Sequence, residues 1–121
     1  MHRQLSALLK GKVSAEELTR NYLDRISHHD IKLNAFMTVF YDSALQAAKV
    51  ADQKRLSGEP LGALHGIPFG LKDIIEFEGQ TTTWGCYALK DRMSTETATV
   101  VERLIDQGAI ILGKTQSVEF A

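Results

Sequence analysis

Residues 64–73 read Leu64-His65-Gly66-Ile67-Pro68-Phe69-Gly70-Leu71-Lys72-Asp73. This mostly apolar run is punctuated by glycine and proline. We predict a strand over Ile67–Leu71, with Pro68 near its start, where a missing N–H removes the least hydrogen bonding. The strand leads directly into Lys72 and Asp73, so a buried element carries two ionisable side chains to one place.

The N-terminal residues 1–12 favour a helix, and two clearer helices and a strand are predicted between them and this run. The first of the clearer helices begins at Ser14, which forms a capping box with Glu17 and precedes apolar residues at helical spacing. Residues 34–40 favour a short strand, and residues 42–56 favour a second helix. One face of that helix carries small residues that suit close packing. This face comprises four alanines and one leucine: Ala44, Leu45, Ala47, Ala48 and Ala51.

A helix and a strand are predicted after the run. The helix covers about residues 97–107, with Thr97 as its N-cap and Gly108 following its last turn. The wholly apolar run 109–112 is typical of a strand covered on both faces. Strands alternating with helices predict an α/β layer with right-handed crossovers. The helix is expected to bury Val100, Val101, Leu104 and Ile105.

Composition limits the class of protein. The 121 residues can bury one core, and 44% hydrophobic with 24% charged residues excludes disordered and collagen-like chains. A net charge of −1 gives no reason to expect nucleic acid or an anionic membrane as partner. The single cysteine, Cys86, cannot form an internal disulfide, which fits a reducing cytosol. We therefore expect a cytoplasmic protein with neither metal nor cofactor and with no membrane partner.

The glycines at 108 and 113 create a misleading match to a phosphate-binding loop. Gly108, four further residues, and then Gly113-Lys114-Thr115 fit the pattern. Such a loop needs a flexible arc between the glycines, whose N–H groups surround the phosphate. Here the intervening residues are the predicted strand. Nucleotide binding is therefore not predicted.

Lys72 is the sharpest candidate for chemistry. If its apolar surroundings draw the amine out of water, its pKa falls and the neutral amine can act as a base towards a serine hydroxyl. The alternative is a lysine whose stem packs on apolar surface while its ammonium pairs with a carboxylate such as Asp73. The pattern alone favours the alternative.

The other reactive side chains give weaker signals. No serine lies in a glycine-rich elbow. Cys86 beside His65 could form a nucleophilic pair, but a small buried thiol and a loop histidine satisfied by backbone groups are favoured. Trp84 could line a pocket, although core packing is favoured.

The run 64–73 resembles the L-x-G-[IV]-P-x-x-[IVL]-K-D segment of the amidase signature family, which consists of hydrolases with a Ser–cis-Ser–Lys triad. Collinear blocks at 14–19, 33–36, 98–104, 108–115 and 119–121 also resemble that family. The resemblance implies a mixed sheet flanked by helices and makes Lys72 the triad lysine. Its neutral amine would deprotonate a bridging serine, which activates the nucleophilic serine for attack on an amide carbonyl.

The resemblance also implies what lies elsewhere. In the family both serines follow the block resembling Glu119–Ala121. Residues 1–121 are therefore expected to be the N-terminal fragment of a single amidase domain, inactive alone. Two positions depart from the family pattern: Gln116 stands where Asn is frequent, and Thr97 where Asp is frequent.

Three functions remain open at this point. The favoured one is hydrolysis of a small non-peptide amide by the full-length protein, with a homo-oligomer possible. The second is the glutaminase subunit of a tRNA-dependent amidotransferase, which shares fold and triad. That subunit commonly has Asn-Ile after Lys-Asp, whereas this chain has Ile74-Ile75. The third, a non-catalytic binding module, is the least favoured.

Overall fold

The computed structural model describes all residues from Met1 to Ala121. The chain alternates helices and strands as the sequence predicts, and the helix favoured at its start is present. In chain order the elements are α1 (His2–Leu9), α2 (Ala15–Leu33), β1 (Phe36–Val39), α3 (Tyr41–Ser57), β2 (Pro68–Lys72), a 3-10 turn (Tyr87–Leu89), α4 (Thr99–Asp106) and β3 (Ile110–Thr115).

The three strands form one mixed sheet in the order β1-β3-β2. The central strand β3 runs antiparallel to β1 and parallel to β2. In the parallel pair, Leu71 lies opposite Lys114 and Lys72 lies opposite Thr115. The mixed sheet with flanking helices confirms the predicted fold class.

The start of α2 is fixed by side chains on both sides. The predicted capping box is confirmed, because Ser14 and Glu17 each accept a hydrogen bond from the other's backbone amide. In addition, the Asp52 carboxylate on α3 accepts the amides of Ala15 and Glu16 at 2.8 and 3.0 Å. A negative charge at this end also suits the helix dipole. One carboxylate therefore ties α3 to the first turn of α2.

The core lies between the helices and the sheet. Three alanines on one face of α3, Ala44, Ala48 and Ala51, are buried as predicted, while Ala47 is exposed and Leu45 is half-buried. Small side chains let α3 approach its neighbours closely. The buried cluster comprises Leu8, Ala15, Leu23, Ala44, Ala48, Ala51, Ile67, Ile110 and Leu112.

Two predictions for α4 are wrong. The N-cap residue is Ala98, and it has no side-chain cap. The Thr97 hydroxyl instead accepts the Glu78 amide at 3.1 Å, so a contact distant in sequence replaces the local one. Of the four residues that the helix is expected to bury, only Val101 is fully buried and Leu104 is half-buried, while the other two are exposed. Those two are Val100 and Ile105.

The strand β3 is longer than predicted. It continues past Leu112 through Gly113, Lys114 and Thr115, all of which pair with neighbouring strands. The backbone that would have to curl around a phosphate is therefore committed to the sheet. Across the whole structure, no helix is both long and apolar enough to pass through a bilayer.

Candidate active site

Lys72 lies at the carboxyl end of β2, and its side chain is exposed. The backbone around it is held on both sides. The Ile75 amide donates to the Lys72 carbonyl, and the Asp73 amide donates to the Thr115 carbonyl, each at 3.0 Å. In open α/β sheets ligands bind beyond the carboxyl ends of parallel strands. Lys72 is thus presented on a fixed backbone at an edge suited to a site.

Asp73 is fully buried directly behind Lys72. Its carboxylate accepts the Thr83 amide at 3.1–3.2 Å and also accepts the Thr83 hydroxyl. The Trp84 amide donates to the Asp73 carbonyl at 2.9 Å. Asp73 therefore joins the end of β2 to the 81–85 loop.

Lys114 is the cationic partner of Asp73. It is only 1% exposed, and its Nζ lies 3.5 Å from Asp73 Oδ1. The ammonium also donates to the Ile75 carbonyl at 2.6 Å and to Thr82 Oγ1 at 2.7 Å. Burial lowers the pKa of Lys114, and attraction to Asp73 opposes part of that shift.

A chain of polar groups leads from the buried ammonium to the surface. Ser94 Oγ lies 2.8 Å from Thr82 Oγ1 and 2.5 Å from Glu76 Oε2. A carboxylate can only accept, so Ser94 donates to Glu76 and accepts from Thr82. Burial alone would raise the pKa of Glu76. Hydrogen bonds from Ser94, Trp84 and Arg92, with the Arg92 charge, outweigh burial and hold that pKa below its usual range.

Two sequence interpretations change in this region. The alternative that paired Lys72 with Asp73 is wrong, because Lys114 takes that carboxylate. Lys114 itself was missed as a site residue. Its signal is its place in the chain, two residues after the apolar run 109–112, in a central strand whose Gly113 and Lys114 are also buried. Within residues 1–121 the Lys72 side chain is exposed to water rather than withdrawn from it.

The weaker candidates lie apart from this network or at its rim. Cys86 is a free, half-exposed thiol just before the 3-10 turn. Trp84 is 38% exposed rather than part of the core, and its indole N–H donates to Glu76 at 3.2 Å. His65 is buried beneath Gly108, as expected of a structural histidine.

His65 makes stability depend on pH. Burial lowers the pKa of His65 in spite of a hydrogen bond to the Ala51 backbone. The unfolded chain therefore binds a proton more readily than the folded one, and stability falls as pH drops below the ordinary histidine value of about 6.5. We expect the melting temperature of the full-length protein to fall between about pH 7.5 and 5.5, and to fall less in His65→Gln. Equal slopes for both proteins would contradict this origin.

A family model described as Amidase matches residues 17–121. Among curated proteins, a glutamyl-tRNA(Gln) amidotransferase subunit from Protochlamydia amoebophila is 44% identical over 113 residues, or 93% of this chain and 23% of that protein. The same subunit from Thermoanaerobacter pseudethanolicus is 45% identical over 121 residues, or 100% of this chain and 25% of that protein.

Solved structures match the fold closely. A chain from a vestigial complex, described for the evolutionary origins of an s-triazine catabolic enzyme, superposes with a TM-score of 0.93 at 30% identity, covering 98% of this chain and 26% of its own. The peptide amidase of Stenotrophomonas maltophilia superposes with a TM-score of 0.87 at 36% identity, covering 96% and 24%. The chain spans about a quarter of the length of these relatives.

Proposed function

Since the chain belongs to the amidase signature family, we propose that the full-length protein cleaves the carbon–nitrogen bond of a small amide, with Lys72 as the base of a Ser–cis-Ser–Lys triad. Residues 1–121 form the N-terminal part of one amidase domain in this proposal, and the protein acts in the cytoplasm. The supporting observation is that Lys72 stands where the family motif has its lysine, at the carboxyl end of a strand held by hydrogen bonds.

The proposed chemistry proceeds by proton transfer and acyl transfer. The neutral Lys72 amine takes a proton from a bridging serine, which takes one from the nucleophilic serine as that oxygen attacks the amide carbonyl. The amine or ammonia leaves with a proton, and an acyl-enzyme remains. Water then cleaves the ester and gives the carboxylic acid. Both serines belong to the rest of the domain, and this chain contributes the base.

The site geometry supports a base rather than a fixed charge at position 72. The cation that stabilises the Asp73 carboxylate is Lys114, so that carboxylate does not need Lys72 as its counter-ion. In the complete domain, burial of Lys72 by other segments would disfavour the ammonium and make the free amine available. The amine must be unprotonated before it can accept a proton.

The proposal is tested by trapping the acyl-enzyme. The full-length protein is incubated with aliphatic, aromatic and peptide-terminal amides and with glutamine, and released ammonia or amine is measured. Hydroxylamine should compete with water and convert the acyl group to a hydroxamate. Absence of both amine release and hydroxamate across all these substrates would contradict amide cleavage.

The curated relatives favour a second candidate, the glutaminase subunit of a tRNA-dependent amidotransferase. Two relatives named as amidotransferase subunits are 44–45% identical over 93–100% of this chain. The peptide amidase reaches 36%. In this candidate, ammonia from glutamine passes to a partner subunit that holds mischarged tRNA, so nucleic acid enters through the complex. The residues Ile74-Ile75 after Lys72-Asp73 favour the hydrolase instead.

The two candidates differ in the fate of the ammonia. An amidotransferase subunit should copurify with companion subunits from its own cell, and glutamine cleavage should rise when mischarged tRNA is added. A free hydrolase should turn over amides alone, with a rate that tRNA leaves unchanged.

A further inference from the structure

We propose that Lys114 is a positioning residue for Lys72, acting through Asp73 and the turn that follows it. This inference rests on the proposed function, because it assigns Lys114 a task only if Lys72 performs the chemistry. Lys114 would touch no substrate. It would hold the backbone that carries the base.

The ion pair fixes the residue directly after Lys72. Lys114 projects from the central strand into the same buried layer as Asp73, at 1% and 0% exposure. The carboxylate is held from one side by the ammonium at 3.5 Å and from the other by the Thr83 amide and hydroxyl. With both sides occupied, the Asp73 side chain has one arrangement. The peptide joining it to Lys72 is fixed as a result.

The same ammonium also closes the turn beyond Asp73. Lys114 Nζ donates to the Ile75 carbonyl at 2.6 Å. The Ile75 amide donates back to the Lys72 carbonyl at 3.0 Å. Both polar groups of Ile75 are thereby engaged, one with the ammonium and one with the residue that carries the base. A single buried charge thus contacts Asp73 and Ile75, and the Ile75 amide carries the restraint back to Lys72.

A buried ion pair is a poor device for stability alone. The cost of taking both charges out of water can exceed their attraction, and apolar side chains of similar volume often replace such pairs without loss. Losing one partner is different, because an uncompensated charge stays buried. Stability therefore does not explain the pair, whereas the need to hold the adjacent base Lys72 in place does. Displacements of about 1 Å in an active site can cost roughly 100-fold in rate.

The test uses full-length Lys114→Met, Asp73→Asn and the double variant. For Lys114→Met we expect kcat to fall by about tenfold or more while KM changes little. The pH profile of kcat/KM should move in opposite directions in the two single variants. In Lys114→Met the unpaired carboxylate favours the ammonium form of Lys72, so the acid limb shifts to higher pH. In Asp73→Asn the unpaired ammonium of Lys114 disfavours the ammonium form of Lys72, so the acid limb shifts to lower pH.

Each acid limb should shift by about half a pH unit or more, because one unpaired unit charge acts on Lys72 across a medium with an effective dielectric constant near 20. The double variant removes both charges, so its acid limb should return towards the wild-type position while kcat stays low. The matched control is Lys49→Met, the same substitution at an exposed lysine on α3. It should leave kcat and the profile unchanged.

The outcomes separate this inference from the proposed function. A fall in kcat without the opposite pH shifts would give Lys114 a structural role only and overturn the inference, as would wild-type kinetics in Lys114→Met. If neither single variant folds, Thr83→Val removes the hydroxyl that donates to Asp73 and accepts the Gly85 amide, while the Thr83 amide still bonds Asp73. It should lower kcat at unchanged KM, and wild-type kcat would overturn the inference. Full activity in a Lys72 variant would instead remove the proposed function, whatever the Lys114 variants do.

Discussion

Replacing Lys72 with alanine in the full-length protein is expected to lower amide hydrolysis by about 10²–10⁴-fold, the usual contribution of a positioned base. The melting temperature should stay near that of the wild type. The Lys72 side chain is exposed. The hydrogen bonds around it use backbone atoms, which alanine retains. The measurement is kcat/KM for the preferred amide, beside a thermal melt.

Lys72→Arg distinguishes a base from a fixed positive charge. Arginine keeps the positive charge and has a side chain of similar length, but its guanidinium does not give up a proton in proteins. We therefore expect Lys72→Arg to be nearly as inactive as Lys72→Ala. The control is Lys90→Ala, at an exposed lysine near the 3-10 turn. If either Lys72 variant kept activity within about tenfold of the wild type, Lys72 would have no part in the mechanism.

Local sequence rules were sufficient where the stabilising contacts are local. The start of α2 follows from Ser14 and Glu17, three residues apart, and the capping box is present. The strand β2 covers Pro68–Lys72, one residue later than the predicted Ile67–Leu71, and the proline lies at its start as the missing N–H predicts. The small-residue face of α3 follows from helical spacing, since Ala44, Ala48 and Ala51 fall four and three residues apart.

The same rules failed where distant residues compete for a side chain. Thr97 has the right chemistry for an N-cap, but its hydroxyl accepts the Glu78 amide from a segment 19 residues earlier. Nothing near Thr97 in the sequence indicates that partner. The helix α4 starts later than predicted, at Thr99, and its N-cap residue Ala98 has no side chain that can cap it. Val100 and Ile105 have the right period for burial, yet no described segment covers them fully.

The candidate site divides in the same way. Lys72 is a candidate base only because its motif resembles that of a family. Composition and periodicity alone favour a structural lysine. The sequence analysis considers Lys114 only as part of a rejected phosphate-loop pattern, because the predicted strand ends at Leu112. The pairing of Lys114 with Asp73 depends on the parallel register of β2 and β3, which places Leu71 opposite Lys114. Register between strands so far apart in the chain is set by tertiary packing and is not visible in either segment.

Gly113→Ala is expected to be the most damaging small substitution in residues 1–121. Gly113 lies in the central strand, paired with Val39 on one side and Gly70 on the other. A Cβ at this position would stand 2.1 Å from the Thr38 carbonyl oxygen and 3.0 Å from the Val39 Cα. Both are backbone atoms, so no side-chain rotation relieves the clash. Either β1 must separate from β3 or β3 must shift, and a shift moves Lys114, the next residue.

We therefore expect full-length Gly113→Ala to be poorly soluble, or to melt well below the wild type with reduced kcat. The matched control is Gly79→Ala. Gly113 has a φ of +156° and Gly79 has a φ of +73°, but a Cβ at Gly79 meets nothing within 4 Å. The control should lower the stability of the protein only by the backbone strain of an alanine in the left-handed region, about 1–2 kcal/mol. Soluble yield, melting temperature and kcat are compared for the two variants. If Gly113→Ala proved no less stable than Gly79→Ala, the close approach of β1 to the centre of the sheet would be incorrect. The packing that sets Lys114 against Asp73 would then need a different register.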